Sequence, residues 1–158
     1  MFSIILEVLI GSTHKALILV PLFQISHRNH WTIPPSIFGL PLLEQIYLNQ
    51  NIFTGEIPSN VGNLIVLSSL WLAKNKLSQA IPASITNCRR LSNLYLHHNQ
   101  LHGKLPASLC RLQSLAHLYL ISNMFEGLVP KQLVMNDDNL IQVDISDNLS
   151  IQTLGRQN

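Results

Sequence analysis

Charge is scarce in this chain. Of its 158 residues only 11% are Asp, Glu, Lys or Arg, against 47% hydrophobic, and the formal net charge is +2. Such a chain lacks the basic footprint by which nucleic acid is held, so nucleic acid is not an expected partner. Cysteine numbers two, Cys88 and Cys110, too few for a disulfide-stapled scaffold. Long apolar runs are missing as well. Residues 2–10, interrupted by Glu7, and residues 16–23 both fall short of the roughly 18–20 residues of a membrane span, and none is expected. No Lys or Arg precedes Lys15, whereas a secretory leader opens with basic residues. Residues 1–16 are therefore set apart as an apolar segment, either repeat remnant or stray leader. There is no phosphate-cradling glycine loop with its lysine and no kinase catalytic-loop motif. No catalytic residue and no cofactor is expected.

What the chain does have is a beat. Pro34, Pro58, Pro82, Pro106 and Pro130 stand 24 residues apart. Asn51, Asn75, Asn99 and Asn123 keep the same interval, and Asn148 follows one residue late. A fixed period of this size means a solenoid of stacked units. Within each unit apolar residues recur as LxxLxxLxLxxN; in residues 81–104 these are Cys88, Leu91, Leu94, Leu96 and Asn99. The Leu-x-Leu step has period two and predicts a short strand, with Leu94 and Leu96 inward and Asn93, Tyr95 and His97 outward. So short a strand buries its apolar row only when another coil stacks on it at about 4.8 Å. The asparagine carboxamide, with two donors and an acceptor, suits the turn after the strand, where it can bridge backbone groups of neighbouring coils. Gly55, Gly103 and Gly127 fit a bend that disfavours Cβ. Gln79 at the equivalent place implies that positive φ is not compulsory there. Cys88, at a leucine position, reads as a buried small hydrophobe.

The combined motif LxxLxLxxNxLxGxIP, in phase through residues 33–151, closely resembles the plant-type leucine-rich repeat of receptor-like kinase and receptor-like protein ectodomains and of polygalacturonase-inhibiting proteins. The resemblance implies a leucine-rich repeat solenoid: a curved right-handed coil with a parallel β-sheet on the concave face and irregular or 3₁₀ turns on the convex face. It divides the chain into a degraded first repeat at 17–32, four regular repeats at 33–128, a last repeat at 129–151 and a tail at 152–158. In the first repeat Leu17, Val20, Phe23 and Ile25 take the leucine spacing and Arg28 falls where asparagine belongs. The last has an extra residue in its approach, Val134 to Asn139. The cysteine-pair caps usual in extracellular relatives are absent. The implied function is a non-catalytic recognition module on the extracellular side of the plasma membrane or in the apoplast. Its expected partner is a peptide, a microbial product, a protein ligand or a co-receptor. A secreted inhibitor of a cell-wall-degrading enzyme and a truncated, non-functional fragment are the alternatives.

Alignment of the strands sets outward residues in columns across the concave face. One column is Tyr47, Trp71, Tyr95, Tyr119 and Asp144. Beside it run Gln45, Ser69, Asn93, His117 and Gln142 on one hand, and Asn49, Ala73, His97, Ile121 and Ser146 on the other. An aromatic stripe with polar flanks is either a ligand platform or a row of rings packing across strands. On the platform reading Tyr47, Trp71, Tyr95, Tyr119, Gln45, Asn93, His117 and His97 bind the ligand. A metal is not expected, because His97 and His117 stand four strand positions apart, about 13 Å. Charge is also uneven. Ile57 to Phe125 holds no acidic residue but six basic ones, whereas Asp137, Asp138, Asp144 and Asp147 gather near the C-terminal end.

Overall fold

The computed structural model describes residues 7–10, 15–18, 31–131, 133, 140–148 and 150–152, with side-chain environments from residue 31 onward. Two parallel sheets run the length of a stack of coils. The first has seven strands: β1 (Glu7–Ile10), β2 (Lys15–Ile18), β4 (Gln45–Tyr47), β6 (Ser69–Trp71), β8 (Asn93–Tyr95), β10 (His117–Tyr119) and β12 (Gln142–Asp144), in that order. All neighbours are parallel except β1 and β2, which form an antiparallel edge pair. The second sheet holds β3 (Trp31–Thr32), β5 (Phe53–Gly55), β7 (Lys76–Gln79), β9 (Gln100–Lys104), β11 (Met124–Leu128) and β13 (Ser150–Gln152). This second sheet was not legible as strand in the sequence. Between the second sheet and the next strand of the first lies a 3₁₀ turn, at Pro35–Gly39, Ser59–Asn63, Ala83–Asn87 and Ala107–Arg111.

Each part of the 24-residue beat has a local cause. The proline before each 3₁₀ turn lies at φ between −58° and −66°, where its ring locks it. Its carbonyl accepts the first bond of the turn, at 3.1, 3.0, 3.1 and 3.0 Å for Ile37, Val61, Ile85 and Leu109. Those four side chains are buried, and so are the strand leucines around them. One continuous core results, from Ile33 to Leu133. Leu140, Val143, Ile145 and Ile151 of the last coil pack on it but are only partly buried. Cys88 is fully buried in this core as a thiol whose Sγ–H donates to Val61 O at 3.3 Å. Burial pushes it up to about 11.

The ladder asparagines close the turn after each first-sheet strand. Asn99 Nδ2 donates to Leu72 O and Leu96 O, both at 3.0 Å, and its Oδ1 accepts the Leu77 N–H at 2.9 Å. Asn75 and Asn123 repeat the arrangement one coil to either side. Asn148 does the same with Leu120 O, Ile145 O and the Phe125 N–H. A sugar on the Asn148-Leu-Ser150 acceptor motif would have to displace those bonds from its own nitrogen.

Two expectations need correcting. Gln79 does adopt a left-handed backbone, at φ +69°, alongside +77°, +82° and +83° at Gly55, Gly103 and Gly127. The stacked neighbours impose this bend, and the side chain does not escape it. A non-glycine residue there is strained by about 1–2 kcal/mol, and glycine's greater chain entropy returns about 0.5–1 kcal/mol of any relief. Gln79→Gly is therefore expected to stabilise the protein by about 0.5–1 kcal/mol, raising Tm by about 1–4 °C. A melt with Tm unchanged or lowered would show that contacts of the glutamine side chain outweigh the strain. The second correction concerns the first repeat. The strand beside β4 is β2, in register Ala16↔Gln45, Leu17↔Ile46 and Ile18↔Tyr47. Leu17 thus stands opposite Ile46, the register place that the leucine spacing gave to Phe23. Val20, Phe23, Ile25 and Arg28, the 134–139 approach with Asp137 and Asp138, and the tail beyond 152 lie outside the described residues.

Candidate functional site

The outer face of the first sheet brings the aromatic column together. Tyr47 pairs with Trp71, Trp71 with Tyr95, Tyr95 with Tyr119, and Tyr119 with Asp144. The ring centroids lie 5.3, 4.4 and 4.9 Å apart, and the Tyr95 and Tyr119 planes are 11° from parallel. Packing across strands is therefore real. The ring faces turn to each other most fully at Tyr95 and Tyr119, which are stacked, while the other two pairs are tilted. Burial, and then the neighbouring Tyr119, push the Tyr95 phenol up, so it remains a hydrogen-bond donor at neutral pH. The Tyr47 hydroxyl donates to Gln45 Oε1 at 3.1 Å.

His97 lies on the margin of the stripe, its ring edge-on to Tyr95 and Tyr119 at 6.2 and 6.1 Å. Burial, followed by the charges of His98 and Lys74, holds it below the ordinary histidine range, against an upward pull from Asp144. Among the described residues, the buried side-chain nitrogens and oxygens without a hydrogen-bond partner are Trp71 Nε1 and His97 Nδ1. Both belong to this face. An orphaned buried polar atom costs about 1–3 kcal/mol, and such departures from full satisfaction gather at functional sites.

On the opposite margin a hydrogen-bonded chain fixes one histidine. The Ser92 hydroxyl donates to Ser68 O at 3.0 Å, so it can only accept from Asn93 Nδ2, 2.9 Å away. That orients the carboxamide, whose other Nδ2 hydrogen meets Ser69 Oγ at 3.0 Å. Asn93 Oδ1 is left to accept from His117 Nδ1 at 3.0 Å. A proton is thus on Nδ1. Ser92 was missed in the sequence, although its 24-residue separation from Ser68 was a visible signal. His117 and His97 sit on different margins. Among the described residues no group of three His, Cys, Asp or Glu side chains could hold a metal ion.

The Leucine Rich Repeat family profile matches residues 42–64 and 90–112. A chain in the crystal structure of the BIR3–SERK2 complex from Arabidopsis thaliana is 31% identical over 86% of this chain and 70% of its own length, with a TM-score of 0.69. The chain belongs to the plant-type leucine-rich repeat family. The leucine-rich repeat ectodomain of the receptor kinase SOBIR1, also from Arabidopsis thaliana, is 29% identical over 88% of this chain and 73% of its own length, with a TM-score of 0.75. The Arabidopsis receptor kinase HAESA, solved in complex with the peptide hormone IDA and the co-receptor SERK1, is 38% identical over 75% of this chain, with a TM-score of 0.70. This chain spans only 20% of HAESA's length. Among curated protein sequences none matches significantly. No helix among the described residues is long and apolar enough to cross a membrane.

Proposed function

We propose that this leucine-rich repeat stack is a non-catalytic recognition module of a plant cell-surface receptor ectodomain, working on the extracellular side of the plasma membrane. It binds an extended peptide, or a peptide-like segment of a protein partner, across the concave face. The observation that carries the reading is the register of Tyr47, Trp71, Tyr95 and Tyr119 on four successive coils. Rigid aromatic rings are the side chains that dominate binding energy, and at about 4.8 Å per coil this row spans about 14–15 Å, four or five residues of extended chain. The complex of HAESA with a peptide hormone supports the same class of ligand.

A displayed random-peptide library selected on the immobilised chain tests this. Binders recovered on the native chain should lose at least about tenfold in affinity for a Tyr95→Ala/Tyr119→Ala variant, since two hot-spot aromatics contribute more than the 1.4 kcal/mol that tenfold represents. Circular dichroism checks that the variant folds. Equal affinity for a folded variant would remove the aromatic column from the binding site.

A further inference from the structure

The margin of the concave sheet carries an ordered charge. Gln50, Lys74, His98, Ser122 and Asp147 occupy one place on five successive coils, each left-handed at φ between +50° and +57°. The N–H groups of Gln50, Lys74, His98 and Ser122 donate to Ala73 O, His97 O, Ile121 O and Ser146 O, at 2.9, 2.9, 2.9 and 3.2 Å. Lys74, His98 and Asp147 are exposed. The row therefore runs from a cation on the second coil, through a titratable histidine, to an anion on the fifth.

Nearer the rings the same end is again acidic. His97 lies beside Tyr95, and Asp144 follows Tyr119 in the aromatic column. Asp144 Oδ1 accepts from the Ser146 N–H at 3.1 Å and the Ser146 hydroxyl at 2.6 Å. Those two bonds hold its carboxyl below the usual carboxylate range, so it is an anion at any physiological pH. Both poles act on His97, which burial first, and then His98 and Lys74, draw down while Asp144 draws it up. Over these five coils the opposite margin carries one charge, Glu44 on the first coil. There Glu44 is followed by Ser68, Ser92, Ala116 and Ile141, joined coil to coil by backbone hydrogen bonds.

We propose that this face selects its peptide by charge order, taking an acidic side chain over Lys74 and His98 and a basic one over Asp144 and Asp147. Lys74 and Asp147 are three coil steps apart, about 14–15 Å, so the two ligand charges stand about four residues apart in extended chain. The aromatic column between them supplies contact area, and the charges set which way round the peptide lies. The inference rests on the peptide-binding reading above.

The probe is a set of fluorescent octapeptides of Ser and Phe carrying one Asp and one Lys, one to six residues apart and in either order. The comparison is with a Lys74→Asp/Asp147→Lys variant. It should fold, because lysine and aspartate already occupy this left-handed column. Native protein should bind best at a separation of about four residues, with one order favoured by about fivefold or more. The variant should favour the reverse order, and both preferences should flatten in about 0.5 M salt. Binding that ignores charge order, or does not reverse in the variant, yet is still lost in Tyr95→Ala/Tyr119→Ala, overturns the charge reading and leaves the aromatic platform standing. Failure of every octapeptide to bind the native chain overturns both.

Discussion

Asn99→Leu is expected to cost about 1–4 kcal/mol of folding stability. The substitution removes the acceptor of the Leu77 N–H and one of the two asparagine donors to each of Leu72 O and Leu96 O, in a residue only 9% exposed. The Leu77 N–H loses its partner, at about 1–3 kcal/mol. Leu72 O and Leu96 O each lose one of two donors, at about 0.5–1.5 kcal/mol, and keep Asn75 Nδ2 and Asn123 Nδ2, while the added apolar surface of leucine offsets about 1–2 kcal/mol. Size is not the cause, and a near-isosteric variant separates the two. Asn99→Asp keeps the volume and the acceptor but turns a carboxylate oxygen toward two carbonyls. It should be as damaging at pH 7 and less so at acid pH, where the protonated acid can donate one bond. Urea unfolding of the three proteins measures this. A loss below about 1 kcal/mol for Asn99→Leu would mean that the ladder contributes little.

Leu96→Ala comes next, with an expected loss of about 2–5 kcal/mol. Leu96 is fully buried, in a row with Leu72 and Leu120 that are equally enclosed, so the coils above and below cannot both collapse into the space. The same truncation at Ile145, only partly buried on the last coil, should cost clearly less. The position matters for a second reason. Stability in a stacked array is a sum over coils and the contacts between neighbours, and Leu96 lies mid-stack. Weakening that layer should let the two halves unfold separately, seen as a lower denaturant slope as well as a lower midpoint. Equal losses at Leu96 and Ile145 would contradict this account. Because Asn99 donates to the carbonyl of Leu96 itself, the double variant should not show simple additivity.

How far the sequence could be read follows from which features are periodic. The inward leucines and the aromatic column were legible because each recurs at one phase of the repeat, and phase becomes lateral contact once coils stack. The ring planes were not, since interplanar angles from 11° to 57° depend on rotamers that spacing does not encode. The strained bend at Gln79 escaped because its φ is set by the coils on either side, whose glycines give no hint of what a glutamine between them must do. The first repeat went wrong for a different reason. A strand of a few apolar residues fits several windows of an apolar segment, and leucine spacing alone chose residues 23–25 where pairing with β4 uses Ala16, Leu17 and Ile18. The second sheet was hidden because its strands are short, polar on alternate residues and interrupted by glycine.

The asparagine ladder has a direction, and that direction bears on synthesis. Each of Asn75, Asn99 and Asn123 accepts an N–H lying 22 residues behind it, on the coil made before. A nascent coil therefore leaves the ribosome with a gap in its own hydrogen bonding, which only the following coil can fill. At about 5–20 residues per second that wait lasts about 1–5 s, so the growing tip is always its least finished layer, and every completed turn locks the one below it.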